Sequence, residues 1–228
     1  SAPPRKPPAL PNRLPSDLMT GQFTPAFRDE LAALMRWRRD VRRFRTDFVP
    51  EDSLARALQA FTLAPSVGLS EPWRILRIDS LAARDACLAN FRDCNAQALK
   101  GFDGDRARTY SRLKLSGMAE APVHLAVFCD DATPKGTGLG AATMPETRAY
   151  SVVGAITHLW LALRAEGLGL GWVSILDQHR LNRDLDVPDH WRFIGYLCIG
   201  WPEKEDTVPE LERVGWETRA QALHLETR

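Results

Sequence analysis

The stretch Pro122-Val-His-Leu-Ala-Val-Phe-Cys129 is apolar but for His124, and Asp130 and Asp131 close it. A strand with one wet face alternates apolar and polar side chains, so an unbroken run predicts a strand covered on both faces. Such a strand needs a layer on each side, and the rest of the chain offers helices to supply them. Thr24-Pro25 predicts a helix start, with Thr at the N-cap and Pro in the first turn. Phe27, Leu31, Leu34 and Met35 then place one apolar stripe on that helix. A second start at Val49-Pro50-Glu51-Asp52 leads into Leu54, Ala57, Leu58 and Phe61 at the same spacing. Residues 73–78 predict a strand, and residues 81–99 and 107–118 two helices. Residues 133–147, rich in glycine and proline, predict a long loop. Val153, Ile156, Trp160 and Leu163 mark a long helix that Gly167 ends from the C′ position. Residues 171–176 and 193–199 predict two further strands. Helices and strands are intermixed without a repeat, which gives an α+β or α/β domain with a small sheet between helices. Trp160, beside Leu159 and Leu163, reads as core.

Residues 1–17 hold six prolines and almost no apolar periodicity, so they predict an extended arm ahead of one domain over 18–228. Thirty Lys and Arg against 29 Asp and Glu leave a net charge of +1, not the basic excess of a nucleic-acid binder. No apolar stretch approaches the roughly 18–20 residues that span a bilayer. The first residues show no apolar signal-peptide core, and the four cysteines show neither a disulfide framework nor Cys-x-x-Cys spacing. A soluble cytoplasmic protein with reduced thiols is the expectation. The five histidines have no metal-ligand spacing, so no metal is expected, and no hydrolase signature is present.

Three segments resist a packing explanation. Arg36-Trp-Arg-Arg-Asp-Val-Arg-Arg-Phe-Arg45 holds six arginines in ten residues. It reads either as a solvated cationic helix end or as an anion site, since converging guanidiniums suit a dianion. Asp40 sits among these cations, which favours its ionised form. Residues 64–73, Ala-Pro-Ser-Val-Gly-Leu-Ser-Glu-Pro-Trp, form a tight loop that can approach a flat ligand, and Gly68 permits it. Residues 167–174, Gly-Leu-Gly-Leu-Gly-Trp-Val-Ser, alternate glycine with bulk, so a planar group can lie near the backbone. No Rossmann Gly-x-Gly-x-x-Gly fingerprint accompanies them.

In this order, Arg-Arg-Asp-Val-Arg-Arg-Phe, Ala-Pro-Ser…Pro-Trp and Glu-Gly-Leu-Gly-x-Gly-Trp, the chain resembles the FMN-dependent nitroreductase-like family. Val67-Gly-Leu-Ser70, Met144-Pro-Glu-Thr-Arg-x-Tyr-Ser151 and Trp172-Val-Ser-Ile-Leu176 are similar to its flavin-destroying branch, which forms dimethylbenzimidazole, the lower ligand of vitamin B12. The likeness covers about residues 23–218. It implies an α+β nitroreductase-like fold: a central, mostly antiparallel sheet flanked by helices, in an intertwined homodimer with an FMN site at each half of the interface.

The resemblance also implies roles. Arg38, Arg39 and Arg42, with Asp40 and Val41 between them, are expected at the flavin phosphate and ribityl chain, and Arg213 is a further phosphate candidate. Ser66 and Ser70 are expected at the ring or ribityl chain, from either subunit. Gly171, Trp172, Val173 and Ser174 are expected to line the ring. The implied reaction takes reduced FMN and O2 to 5,6-dimethylbenzimidazole and erythrose 4-phosphate, with NAD(P)H as an indirect reductant through a flavin reductase partner. Reduced flavin with O2 gives hydrogen peroxide unless shielded from water, so a closed pocket is required. The 138–150 loop is the lid candidate, with Met144, Glu146 and Tyr150 as possible substrate contacts. Proton transfer at the ribityl C1′ needs an acid–base group, for which Asp40 is the candidate, and Ser174 is a hydrogen-bond donor to a flavin nitrogen. Glu71 departs from the family's expected Gln; it is harmless if it faces away or pairs with Arg74. The alternatives are a nitroreductase or quinone reductase using NAD(P)H with bound FMN, and a flavin-binding module without turnover.

Overall fold

The computed structural model describes residues 21–228. The arm expected over 1–17, and the first residues of the expected 18–228 domain, lie outside the described residues. Helix α1 (Pro25–Trp37) begins where Thr24 Oγ1 accepts the Phe27 N–H at 3.1 Å, the expected cap. Helices α2 (Glu51–Leu58) and α3 (Ala60–Leu63) lead through a 3-10 turn, Val67–Leu69, into strand β1 (Trp73–Arg77). Helices α4 (Leu81–Leu99) and α5 (Gly104–Arg112) precede strand β2 (Val123–Asp130). Helix α6 (Thr147–Ala165), strand β3 (Gly169–Val173), helix α7 (Gln178–Asp184), strand β4 (Trp191–Gly200) and the short helix α8 (Glu210–Arg213) complete the order.

The sheet runs β1-β2-β4-β3, every neighbour antiparallel. All eight residues of β2 are buried, as its unbroken apolar run requires. Val123, Leu125, Val127 and Cys129 face one core, shared with Leu54, Phe61, Ile156 and Leu159 from α2, α3 and α6. Ala126 and Phe128 face the other, shared with Cys87 and Phe91 of α4 and Leu181 of α7. Each large apolar side chain so buried contributes about 2 kcal/mol before entropy is counted. Among the described residues, no helix is long and apolar enough to cross a membrane.

Gly167 ends α6 as expected: with φ at 80° it lets Leu168 N–H reach Leu163 O (2.9 Å) and Gly167 N–H reach Arg164 O (3.0 Å). Other boundaries differ. The helix expected over 107–118 ends at Arg112, because Leu113 is extended (ψ 132°) and the chain turns inward to bury Met118. The strand expected over 171–176 starts two residues earlier and stops at Val173, where its pairing with β4 ends. Helix α1 carries its apolar stripe but buries none of it, and Phe27, Met35 and Trp37 stay exposed.

Candidate functional site

Past Trp37 the chain stops being helical. Arg38 is extended (ψ 116°), and residues 38–45 form a strap that meets β3 at Leu170 and then residues 201–203 just past β4. Val41 N–H donates to Leu170 O at 3.0 Å, Arg45 N–H to Trp201 O at 2.9 Å, and Glu203 N–H to Arg43 O at 3.1 Å. Phe44, 1% exposed, anchors the strap in the core. The glycines of β3 make this possible. A Cβ on Gly171 would stand 2.1 Å from Val41 O, and one on Gly169 would stand 2.7 Å from Val41 Cγ2. The close approach expected of a planar ligand over these two glycines is therefore made by the chain's own Val41.

Asp40 fixes the strap at its critical point. Its Oδ1 accepts the Trp172 N–H at 2.9 Å and its Oδ2 accepts Arg42 Nε–H at 3.0 Å, with the side chain about one-third exposed. The carboxylate thus satisfies a sheet-edge donor and still reaches solvent. Arg38 lies over Trp160, 4.7 Å from the ring centroid, and Trp160 Nε1–H donates to Arg39 O at 3.2 Å. Trp160, expected in the core, is partly buried against it and also touches the arginine strap. Arg39 donates from Nη2 to Arg36 O at 2.8 Å, and its Nε is buried with no partner. Burial first, then the nearby charges of Arg38 and Arg219, pulls its pKa below the usual guanidinium value.

Arg39, Asp40, Val41 and Arg42 line a cleft of about 490 Å³, closed on its other side by residues 203–213. Arg213 belongs to this cleft, its Nε 3.2 Å from Asp206 Oδ2. The acids of residues 203–210 were not singled out in the sequence, although Glu203-Lys-Glu-Asp206 is a visible charge run. Arg38 opens instead on a small neighbouring hollow beside Trp160.

Ser66 and Ser70 lie elsewhere, since no residue of the 64–72 loop lines the arginine cleft. Ser66 Oγ accepts the Glu71 N–H at 3.1 Å; Ser70, 3% exposed, has a buried hydroxyl without a partner. This loop clasps the next long loop. A Cβ on Gly136 would fall 2.5 Å from Gly68 O, and Leu69, Glu71 and Thr137 all hold positive φ. Glu71 pairs with Lys135 rather than Arg74, which binds Asp130 at 2.6 Å. Val67 N–H donates to Ser151 Oγ at 3.0 Å, tying the clasp to α6. Of the lid candidates, Met144 is an exposed loop residue and Glu146 stands at the N-cap position of α6 without a side-chain capping bond. Tyr150 is not in the loop: α6 starts at Thr147 and carries it, exposed, in its first turn. On β3, Trp172 leans over Gly195, where a Cβ would sit 2.2 Å from Nε1, and Val173 turns its side chain into the core. Ser174 follows β3 and is exposed.

Residues 35–201 match the sequence profile of the nitroreductase family. The chain belongs to the nitroreductase family. Among its relatives, the 5,6-dimethylbenzimidazole synthase of Rhodospirillum rubrum is 57% identical over 197 residues, covering 86% of this chain and 93% of that protein. The synthase of Rhodobacter capsulatus is 47% identical over 195 residues, covering 86% and 94%. Among solved structures, iodotyrosine deiodinase bound to FMN and 3-iodo-L-tyrosine superposes with a TM-score of 0.64 at 22% identity, covering 87% of this chain and 97% of that one. A putative nitroreductase from Desulfovibrio desulfuricans in complex with FMN superposes at 0.57, also at 22% identity, covering 80% and 89%. These likenesses establish the nitroreductase fold for the chain. Like its relatives, this member of an oxidoreductase family is an enzyme.

Proposed function

We propose that this nitroreductase-family enzyme cleaves reduced FMN with O2 to 5,6-dimethylbenzimidazole and D-erythrose 4-phosphate, supplying the lower ligand of vitamin B12. The observation that carries this reading is the 57% identity, over nearly the whole of both chains, to a protein named for that product. The residues present fit a flavin phosphate. Four arginines, Arg39, Arg42, Arg43 and Arg213, line one cleft, and the buried Arg39 Nε still has a donor to offer. When bound, reduced FMN supplies both the electrons for O2 and the ring and sugar carbons of the products.

The chain's own residues position and protonate. Arg39 and Arg42 bind the phosphate and ribityl oxygens, while Trp160 keeps the strap in place from behind. Asp40, held by the Trp172 N–H and Arg42, lines the cleft with a third of its side chain exposed and takes a proton at the ribityl C1′. Ser174, exposed at the end of β3, donates its hydroxyl to a ring nitrogen. Ser66 and Ser70 contact the ring from the partner subunit of a homodimer. That last assignment is supported by the absence of their loop from the arginine cleft and by α1, thirteen residues of which none is fully buried in its own chain. Exposed Phe27, Met35 and Trp37 give a second copy an apolar face to cover.

The test is one incubation with FMN, excess reductant and O2, followed by chromatography and mass spectrometry. Dimethylbenzimidazole formed in proportion to FMN lost is the expected result. Intact FMN with steady oxidation of NAD(P)H would instead make the chain a conventional nitroreductase. Sedimentation of the same sample should give a dimer mass.

A further inference from the structure

The arginine cleft carries as many carboxylates as cations: five basic and five acidic side chains line it. A cleft that retains a phosphate dianion gains from an excess of positive charge, because its potential sums every charge lining it. Here segment 203–213 cancels that excess. Asp206 Oδ2 lies 3.2 Å from Arg213 Nε, and Glu210 Oε1 accepts from Arg43 Nη1 at 2.6 Å. Arg42 is already held by Asp40, so Arg39 is the cleft arginine that no carboxylate contacts within ion-pair distance.

We propose that Asp206 and Glu210 set flavin affinity, competing with the phosphate monoester for Arg213 and Arg43 so that FMN exchanges as a substrate instead of staying as a resident group. This rests on the reading of the cleft as the phosphate end of a flavin site. A phosphate arriving at Arg39 and Arg42 has two courses. It draws Arg213 and Arg43 away from their carboxylates, or it leaves those pairs intact and uses two guanidiniums. Both courses leave carboxylates near a dianion, and that repulsion weakens binding. Arg213 is half-exposed, so solvent damps the effect: removing either negative charge should tighten phosphate binding by roughly three- to tenfold.

The experiment titrates the full chain with oxidised FMN and, separately, with riboflavin, which lacks the phosphate, following flavin fluorescence. Wild type is compared with Asp206→Asn and Glu210→Gln, both isosteric changes. Each variant should bind FMN roughly three- to tenfold more tightly, with riboflavin affinity unchanged. Inorganic phosphate should compete with FMN at lower concentration in the variants than in wild type. Variants that bind FMN as wild type does, or more weakly, overturn the proposal. So does equal tightening of FMN and riboflavin, since that would reflect a reshaped cleft and not a lost charge. A wild-type chain that binds neither flavin overturns the flavin reading itself and this inference with it, an outcome distinct from either of those.

Discussion

The Asp40 cluster and the His124 cluster each tie titratable side chains to the sheet, but one opens on a cleft and the other is sealed. His124 Nε2 meets Ala121 O at 2.9 Å, so it must donate, which leaves Nδ1 to accept the Tyr196 hydroxyl at 2.8 Å. The buried Cys87 thiol shares this core with Tyr196. Burial drives the shifts: His124 falls to about 4, Cys87 rises to about 11, and Tyr196 is pushed well above its ordinary value. Displaced pKa values are a common marker of active sites, and here three of them lie in a sealed cluster, although Arg39 in the cleft is displaced too. His124 and Tyr196 each have a partner, and His124 lines neither the arginine cleft nor the hollow beside Trp160. Asp40 is also bonded twice, but a third of its side chain remains open beside an arginine with a spare donor. An unfinished hydrogen-bond set next to solvent marks the candidate site better than a shifted titration does.

The sharpest way to break this contrast is Asp40→Asn. The amide can still accept the Trp172 N–H, so the strap should hold and FMN should still bind. Product formation should fall at least about a hundredfold, the usual scale of a lost acid–base group. Full activity in the purified variant would remove Asp40 from the chemistry and leave it a structural clip.

The sealed cluster should act on stability alone. His124 is neutral when folded, while in the unfolded chain it titrates near 6.5. The unfolded state therefore binds the extra proton first, and stability present above pH 6.5 is lost as pH falls towards 4. The loss from this group should approach about 3 kcal/mol. Urea unfolding at pH 7.5 and 4.5 measures it, and His124→Gln should flatten the difference. An unchanged pH slope in that variant would mean another group carries it.

Sequence reading captured what local rules decide. The run in β2, the Thr24 cap and the Gly167 stop each depend on residues within a few positions, so they stand where expected. Long-range pairings were the part it could not reach. Gly169 and Gly171 leave room for Val41, some 130 residues earlier in the chain. Glu71 meets Lys135, and Arg43 meets Glu210, across gaps of 64 and 167 positions. Residues 113–118 were expected to continue a helix, but Leu113 is extended, Met118 is buried, and Gly117 packs where a Cβ would stand 2.3 Å from the distant Phe44 ring.

Gly171→Ala probes whether the open cluster depends on that distant contact. Its Cβ would collide with a backbone oxygen, which cannot rotate away, so the strap must shift. Stability should fall by about 2 kcal/mol. FMN affinity should fall too, because Arg39 and Arg42 move with Val41. Gly101→Ala, where the nearest atom would be 3.4 Å away, should stay within about 0.5 kcal/mol of wild type. Equal effects from the two changes would show that the strap is not seated by the glycines.

The smallest effect belongs to the clasp between the 64–72 and 131–146 loops, held both by charge and by backbone contact. The Glu71–Lys135 pair is exposed, its side chains 37% and 50% accessible, so screening limits it to less than about 1 kcal/mol. Gly136 faces Gly68 O with no room for a Cβ and holds φ at 82°, so alanine there meets both a clash and backbone strain. Thermal unfolding should therefore barely register Glu71→Gln and should register Gly136→Ala clearly. If Glu71→Gln costs as much as Gly136→Ala, the charge pair holds the clasp, and raising the salt concentration in wild type should loosen it by the same amount.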